Sequence, residues 1–217
     1  VSAARLLVVL DVDSTLTRDE GIDLLAACVS PEVAQKVAQI TAQAMRGELD
    51  FEQSLRQRVA TLAGVTREQL ESATRSVRLT DGAEQLVTVL RAHGHLVGAV
   101  SGGFHQMIDP LAAHLGLDFH RANTLEIVDD VLTGDLVGPI IGAREKANTL
   151  LEWASAHSID AAQTVAIGDG GNDVFMLQEA GLGIAFMAKP VAKEAADIVL
   201  DTPDLAEVLG LLGFIDA

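Results

Sequence analysis

The chain has one cysteine (Cys28), no tyrosine, one tryptophan and five prolines in 217 residues. A lone thiol cannot close an intrachain disulfide, so burial of apolar side chains must hold the fold, and a cytoplasmic, reducing setting is expected. Basic residues are also scarce: 15 Lys and Arg stand against 31 Asp and Glu, a formal net charge of −16. Such a surface repels polyanions, which argues against nucleic acid and anionic membranes as partners. No apolar run nears the ~20 residues that span a bilayer. The opening apolar stretch is short, ends in acids and lacks a small-residue cleavage site, so it reads as a strand rather than a signal peptide. Val1 is not an initiator methionine, which is compatible with processing or with a segment ahead of it. Cys28 reads as a small packing residue. The six histidines read as structural or surface residues without a metal cluster, with His93 and His95 flanking a turn.

Apolar residues, by contrast, make up 49% of the chain and are ordered in a recognisable way. Residues 5–10 form a Val/Leu-rich run that stops at Asp11, as a buried parallel strand would. Between 20 and 77 no comparable strand occurs. Helix signals follow one another there: Ser30 ahead of Pro31, Asp50 as an N-cap, and Thr66 with Gln69 as a capping box. Strand and helix then alternate. A helix opened by Asp81 and Glu84 precedes a strand at 96–100, and further helices are expected at 104–115, 143–157, 173–180 and 204–212. Further strands are expected at 164–167, 183–186 and 197–200, with two β-prone runs at 124–137 joined by Asp129 and Asp130. The expected fold class is α/β: a Rossmann-like doubly wound parallel sheet with a small helical cap inserted after the first strand. The expected division is 1–17 and 78–217 for the core, 18–77 for the cap, and 124–137 as a hairpin-like excursion within the core.

Ligands bind such sheets beyond the carboxyl ends of the strands, where Asp11, Ser101 and Asp169 all fall. Asp11-Val12-Asp13-Ser14-Thr15 sets two carboxylates two residues apart at a strand end. The same residues suit a turn, and they also suit a hard cation, which takes carboxylate and carbonyl oxygens. A second acidic loop, Gly168-Asp169-Gly170-Gly171-Asn172-Asp173, follows another strand and decides between these readings. Its glycines let the backbone approach a ligand closely. Between the two loops lie Ser101-Gly102-Gly103, read as opening a helix and offering an anion site or a plain N-cap. Lys146 near a helix start is, alone, an ordinary surface lysine.

The ordered set DVDST, SGG, Lys146 and GDGGND resembles the four motifs of the haloacid dehalogenase superfamily, in its phosphatase branch. It is most similar to the members that act on phosphoserine, through Glu20, the Met45–Phe51 region, the FEQSLRQRV segment and Lys189-Pro190. The resemblance covers essentially the whole chain. It implies Asp11 as nucleophile and Asp13 as general acid and then base. It also implies Mg²⁺ held by Asp11, Asp169 and the carbonyl of Asp13, with Asp173 beside the metal. Ser101, Gly102 and Lys146 would hold the phosphate, and Asn172 would contact substrate. In the cap, Glu20 and Arg58 would read the amino and carboxylate groups of serine, with Met45 and Phe51 shielding the site.

Leu10, Gly171, Asp81-Gly82 and Met187 depart from the usual pattern, and none removes a catalytic group. For Asp13 to act as an acid near neutrality its pKa must rise, and Asp11 together with the incoming phosphate is the expected cause. The partner implied is a small-molecule substrate, phosphoserine. The alternatives are another phosphomonoester such as phosphohomoserine, transfer to an acceptor alcohol, or a non-catalytic phospho-ligand sensor. Monomer and homodimer remain open.

Overall fold

The computed structural model describes residues 5–214; the ends of the expected core segments, 1–4 and 215–217, lie outside the described residues. In chain order the elements are β1 (Leu7–Leu10), α1 (Gly21–Val29), α2 (Pro31–Met45), α3 (Phe51–Ala60), α4 (Arg67–Ser76) and α5 (Ala83–Ala92). There follow β2 (Leu96–Phe104), α6 (His105–Leu115), β3 (Phe119–Val128), β4 (Val131–Val137), α7 (Ala143–Ala156) and β5 (Thr164–Gly168). The chain ends with α8 (Val174–Glu179), β6 (Leu182–Phe186), α9 (Pro190–Ala195), β7 (Ile198–Leu200) and α10 (Glu207–Leu211).

The seven strands form one sheet in the order β4-β3-β2-β1-β5-β6-β7, parallel except for the antiparallel β3–β4 pair. β1 is central and buried on both faces, and the two-residue period of a strand divides its side chains between two cores. Val8 and Leu10 pack with Leu86 and Leu90 of α5 and Val208 of α10. Leu7 and Val9 pack with Leu150 and Trp153 of α7 and Met176 of α8. This two-sided cover makes the sheet doubly wound. A third apolar cluster joins α1–α4 to the inner ends of β2, α6 and the β3–β4 hairpin, through Leu25, Leu55, Leu62, Phe104 and Leu132.

The caps in the helical segment are those the sequence predicts. Ser30 Oγ accepts the Val33 N–H at 3.2 Å, and Asp50 with Gln53 and Thr66 with Gln69 form reciprocal capping boxes. α5 is a correction: Gly82, at φ +75°, occupies its N-cap, and Asp81 pairs instead with Arg18. α1 and α9 were not foreseen. α1 has no side-chain cap and is held by burial of Ile22, Leu25 and Ala26. Cys28 is exposed rather than packed, because it lies on the outer face of α1.

The histidines keep their reading as structural or surface residues, but two of them meet in the fold. His105 and His120 converge on Asp109 Oδ1 at 2.8 and 2.9 Å, an approach that depends on α6 lying against β3. The Ala122 N–H donates to His105 Nε2 at 3.2 Å. The neutral ring therefore carries its proton on Nδ1, directed at Asp109, in a hydrogen-bonded trio rather than a set of open ligands.

Candidate active site

β2, β1 and β5 are adjacent, so their carboxyl ends bring Asp11, Ser101 and Asp169 together. The order of connection reverses about β1, which makes this a topological switch point. The parallel ladder continues one step past the strand, with the Asp11 N–H donating to Ile167 O at 2.8 Å. A compact turn follows, in which Ser14 takes a left-handed conformation at φ +59°. It returns Asp13 towards the sheet. There Asp13 Oδ1 accepts the Gly21 N–H at 2.7 Å, and Oδ2 accepts the Ser101 hydroxyl at 3.2 Å.

The Ser101 segment differs from expectation. β2 runs on to Phe104 and the helix starts at His105, so Ser101-Gly102-Gly103 is a strand end rather than a helix opening. The Gly103 N–H is already spent on Ser101 Oγ at 2.7 Å. Glycine is nevertheless required at 103, where a Cβ would lie 2.8 Å from Asp13 Oδ2.

Lys146 is fully buried, against the surface position its charge alone suggests. Its ammonium donates to Asp11 and, at 2.8 Å, to Asp173 Oδ1. Asp173 Oδ2 accepts the N–H groups of Asp169 and Gly170 at 3.1 and 3.0 Å. Asp173 thus locks the second acidic loop onto Lys146. That loop folds so tightly that a Cβ on Gly168 would fall 2.5 Å from the Asp173 carboxyl carbon.

Several groups are shifted by this crowding. Burial raises Asp11 well above the ordinary carboxylate range, repulsion from Asp173 adds to it, and Lys146 opposes. Burial alone would depress Lys146, but the carboxylates of Asp11 and Asp173 outweigh it and hold the ammonium above its usual value. Asp13 is pushed up to about 6, first by burial and then by Glu20. The rise itself matches expectation, but Glu20, delivered by the segment leading into α1, is the leading anion in place of Asp11. Asp169 is raised by burial, with Lys189 opposing.

A cavity of about 470 Å³ opens above these groups. Asp11, Asp13, Gly102, Asp169 and Asn172 line its floor, while Ser101, Lys146 and Asp173 lie fully buried beneath it. Its roof carries Met45, Phe51 and Arg58, with Glu20 at the side, held by the Ser14 hydroxyl at 2.7 Å. Phe51 rests on the floor, its ring 2.9 Å from where a Gly102 Cβ would be. Met45 lines the cavity but is 75% exposed, a rim residue more than a shield.

Sequence reasoning gave no role to four polar lining residues, Asp23, Thr41, Ser54 and Lys189. Lys189 Nζ sits 3.1 Å from Asp169 Oδ2. The Lys-Pro pair after β6 marked its position, but a charge in a sequence carries no direction.

Carboxylate oxygens of Asp11, Asp169 and Asp173 lie within 4.8 Å of one another. Among the described residues, no protein donor reaches Asp11 Oδ2 or Asp169 Oδ1. Oxygen-only donors and surplus buried negative charge fit a hard divalent cation. Asp173 has both oxygens committed to protein donors, so it suits an orienting part better than a ligand's.

A family model for haloacid dehalogenase-like hydrolases matches residues 8–178. A phosphoserine phosphatase of Streptomyces coelicolor is 54% identical over 97% of this chain, and one of Streptococcus thermophilus 44% over 98%. The match covers 51% of the first and 98% of the second. This chain spans about half the length of the Streptomyces relative and of a Mycobacterium tuberculosis relative that is 50% identical. A solved phospho-aspartyl intermediate analogue of phosphoserine phosphatase superposes with a TM-score of 0.90 at 41% identity, covering 96% of this chain and 99% of that one. The chain belongs to the haloacid dehalogenase-like hydrolase family.

Proposed function

We propose that this chain is a Mg²⁺-dependent phosphoserine phosphatase, hydrolysing O-phospho-L-serine to L-serine and phosphate through an aspartyl-phosphate on Asp11. One observation carries the reading. One cavity faces Asp11 and Asp13, with Lys146 buried beneath them, on one side and Arg58 with Glu20 on the other. The first half suits a phosphate ester; the second suits an amino acid's carboxylate and ammonium. Support also comes from the similar structures, one described as a phospho-aspartyl analogue and one as substrate-bound phosphoserine phosphatase.

In this proposal, an Asp11 carboxylate oxygen attacks phosphorus in line, the ester P–O bond breaks, and the serine oxygen takes the proton from Asp13. Water then attacks the phosphoryl group, gives its proton to Asp13, and releases phosphate as the bond to Asp11 breaks. A carboxylate nucleophile divides one hard displacement into two easier ones. Lys146 offsets repulsion between Asp11 and the dianion, Ser101 and Gly102 bound the phosphate, and Asn172 contacts substrate. Asp11 and Asp169, with the Asp13 carbonyl, would hold Mg²⁺, which supplies charge neutralisation for phosphoryl transfer. Residues 18–77 act as a cap whose Met45 and Phe51 bound the cavity. The exposed thiol of Cys28 suits a cytoplasmic setting. Among the described residues no helix is long and apolar enough to cross a membrane.

The test is phosphate release from L-phosphoserine, with Mg²⁺ and with excess chelator, beside phosphohomoserine, an aryl phosphate and acceptor alcohols. Release that needs Mg²⁺ and favours phosphoserine is expected. Full turnover in chelator, or preference for another ester, would defeat the metal or the substrate assignment respectively.

A further inference from the structure

α3 presents a stripe to the cavity at helical spacing: Phe51, Ser54, Leu55 and Arg58 all line it. Residues at i, i+3, i+4 and i+7 share one helix face. Ser54 is the one member of the stripe without an account. It is 1% exposed, and among the described residues its hydroxyl has no hydrogen-bond partner. Buried hydroxyls are rarely left unpaired, because leaving one so forfeits its bonds to water. A serine inside a helix can bond the carbonyl four residues back. Here the Asp50 carbonyl instead accepts the Ser54 N–H at 3.0 Å, and the hydroxyl does not reach it. The carbonyl of Ser54 accepts Arg58 Nε at 3.3 Å, which anchors the guanidinium one turn away on the same face. Arg58 Nε is thereby spent, and its terminal nitrogens remain for a ligand.

We infer that Ser54 is a specificity-determining residue whose hydroxyl donates to the substrate's carboxylate beside Arg58. This rests on the reading that a phosphorylated amino acid fills the cavity. Chemistry favours a carboxylate as the occupant. It is acceptor-only with about four lone-pair sites, so it can take a guanidinium fork and still accept an O–H. An ammonium offers only donors, and Glu20 with Asp23 already supplies acceptors on that side of the cavity.

Ser54→Ala tests this, because alanine keeps the helix and removes only the oxygen. KM for L-phosphoserine and the inhibition constant of L-serine should both rise about tenfold, the low end for a hydrogen bond to a charged group. An aryl phosphate, which has no carboxylate, should change by less than about twofold. The thermal midpoint should hold or rise, since the variant removes an unpaired buried group. Equal losses on both substrates, or a lower midpoint with unchanged KM, would assign the hydroxyl to the fold and overturn the inference. If wild type itself does not favour phosphoserine over the aryl phosphate, the parent reading falls and takes this one with it. A preference kept by wild type and fully retained by the variant defeats the role of Ser54 alone.

Discussion

The floor and the roof of the cavity hold charges of the same kinds in opposite ways. At and beneath the floor, Lys146 of α7 donates to both Asp11, after β1, and Asp173, after β5, and all three are buried. In the roof, Arg58 is only partly buried, and its nearest protein anchor is a backbone carbonyl of its own helix. Fixing three charges in a low-dielectric site costs desolvation, and each depends on the others being present. Burial lowers the Arg58 pKa too, with Asp23 and Glu20 opposing, but its terminal nitrogens stay open to a ligand. The first group is built into the central sheet and the loops at its strand ends; the second sits on helices with their own small core.

The sharpest test of this contrast falls on the two floor aspartates. Asp11→Asn should abolish turnover and any covalent phosphoenzyme, since an amide is a poor nucleophile. Asp13→Asn should lose about 10²–10⁴-fold through missing proton transfer. It should still be phosphorylated by an ester with a good leaving group, and intact-protein mass after acid quench reads the difference. Label on Asp13 would reverse the two assignments.

Lys146→Met should reduce stability as well as activity, by about 3–5 kcal/mol, because it strands Asp11 and Asp173 without their cation. The sign with pH follows from the raised carboxyl. A group whose folded pKa lies above its unfolded value loses stability as pH rises from about 3.9 through the folded value. Without Lys146 to oppose the rise, urea midpoints of the variant should fall further behind wild type at pH 8 than at pH 5. Restoring much of the loss with Asp173→Asn would confirm charge as the cause; an equal deficit at both pH values would point to packing.

The roof should respond differently. Arg58→Ala should cost about 10- to 150-fold on phosphoserine, the worth of a charge-assisted bond, and much less on an aryl phosphate. Parallel losses would make Arg58 a structural residue. The smallest effect belongs to Thr66→Ala, which removes one capping box of α4 and should cost about 1 kcal/mol in urea unfolding. Turnover of an aryl phosphate should barely change, and a large drop would mean that the floor leans on the cap helices.

Much of this was legible because it is local. β1 announces itself as Leu7-Val8-Val9-Leu10 stopped by an aspartate, and Ser30, Asp50 and Thr66 mark their helices with side chains that reach only three residues on. α1 was missed for the same reason: no capping side chain marks its start. The exposure of Cys28 and the convergence of His105 and His120 on Asp109 were not legible, because both depend on which helix face meets which strand. Glu20 illustrates the division within one residue. Its place in the site was expected, yet its standing as the anion that lifts Asp13 appears only where the approach to α1 crosses the turn after β1.

By itself the sequence determined the order of the strands and of every helix but α1 and α9, the two acidic loops and the helical segment between them, since periodicity, caps and glycines act over a few residues. Only the tertiary structure decided that Lys146 is buried between Asp11 and Asp173, that Lys189 holds Asp169, and that the Ser54 hydroxyl lacks a partner among the described residues. Those facts join residues up to 135 positions apart, Asp11 to Lys146. At that separation no local propensity fixes direction, and only packing the sheet between its helices determines which charge meets which.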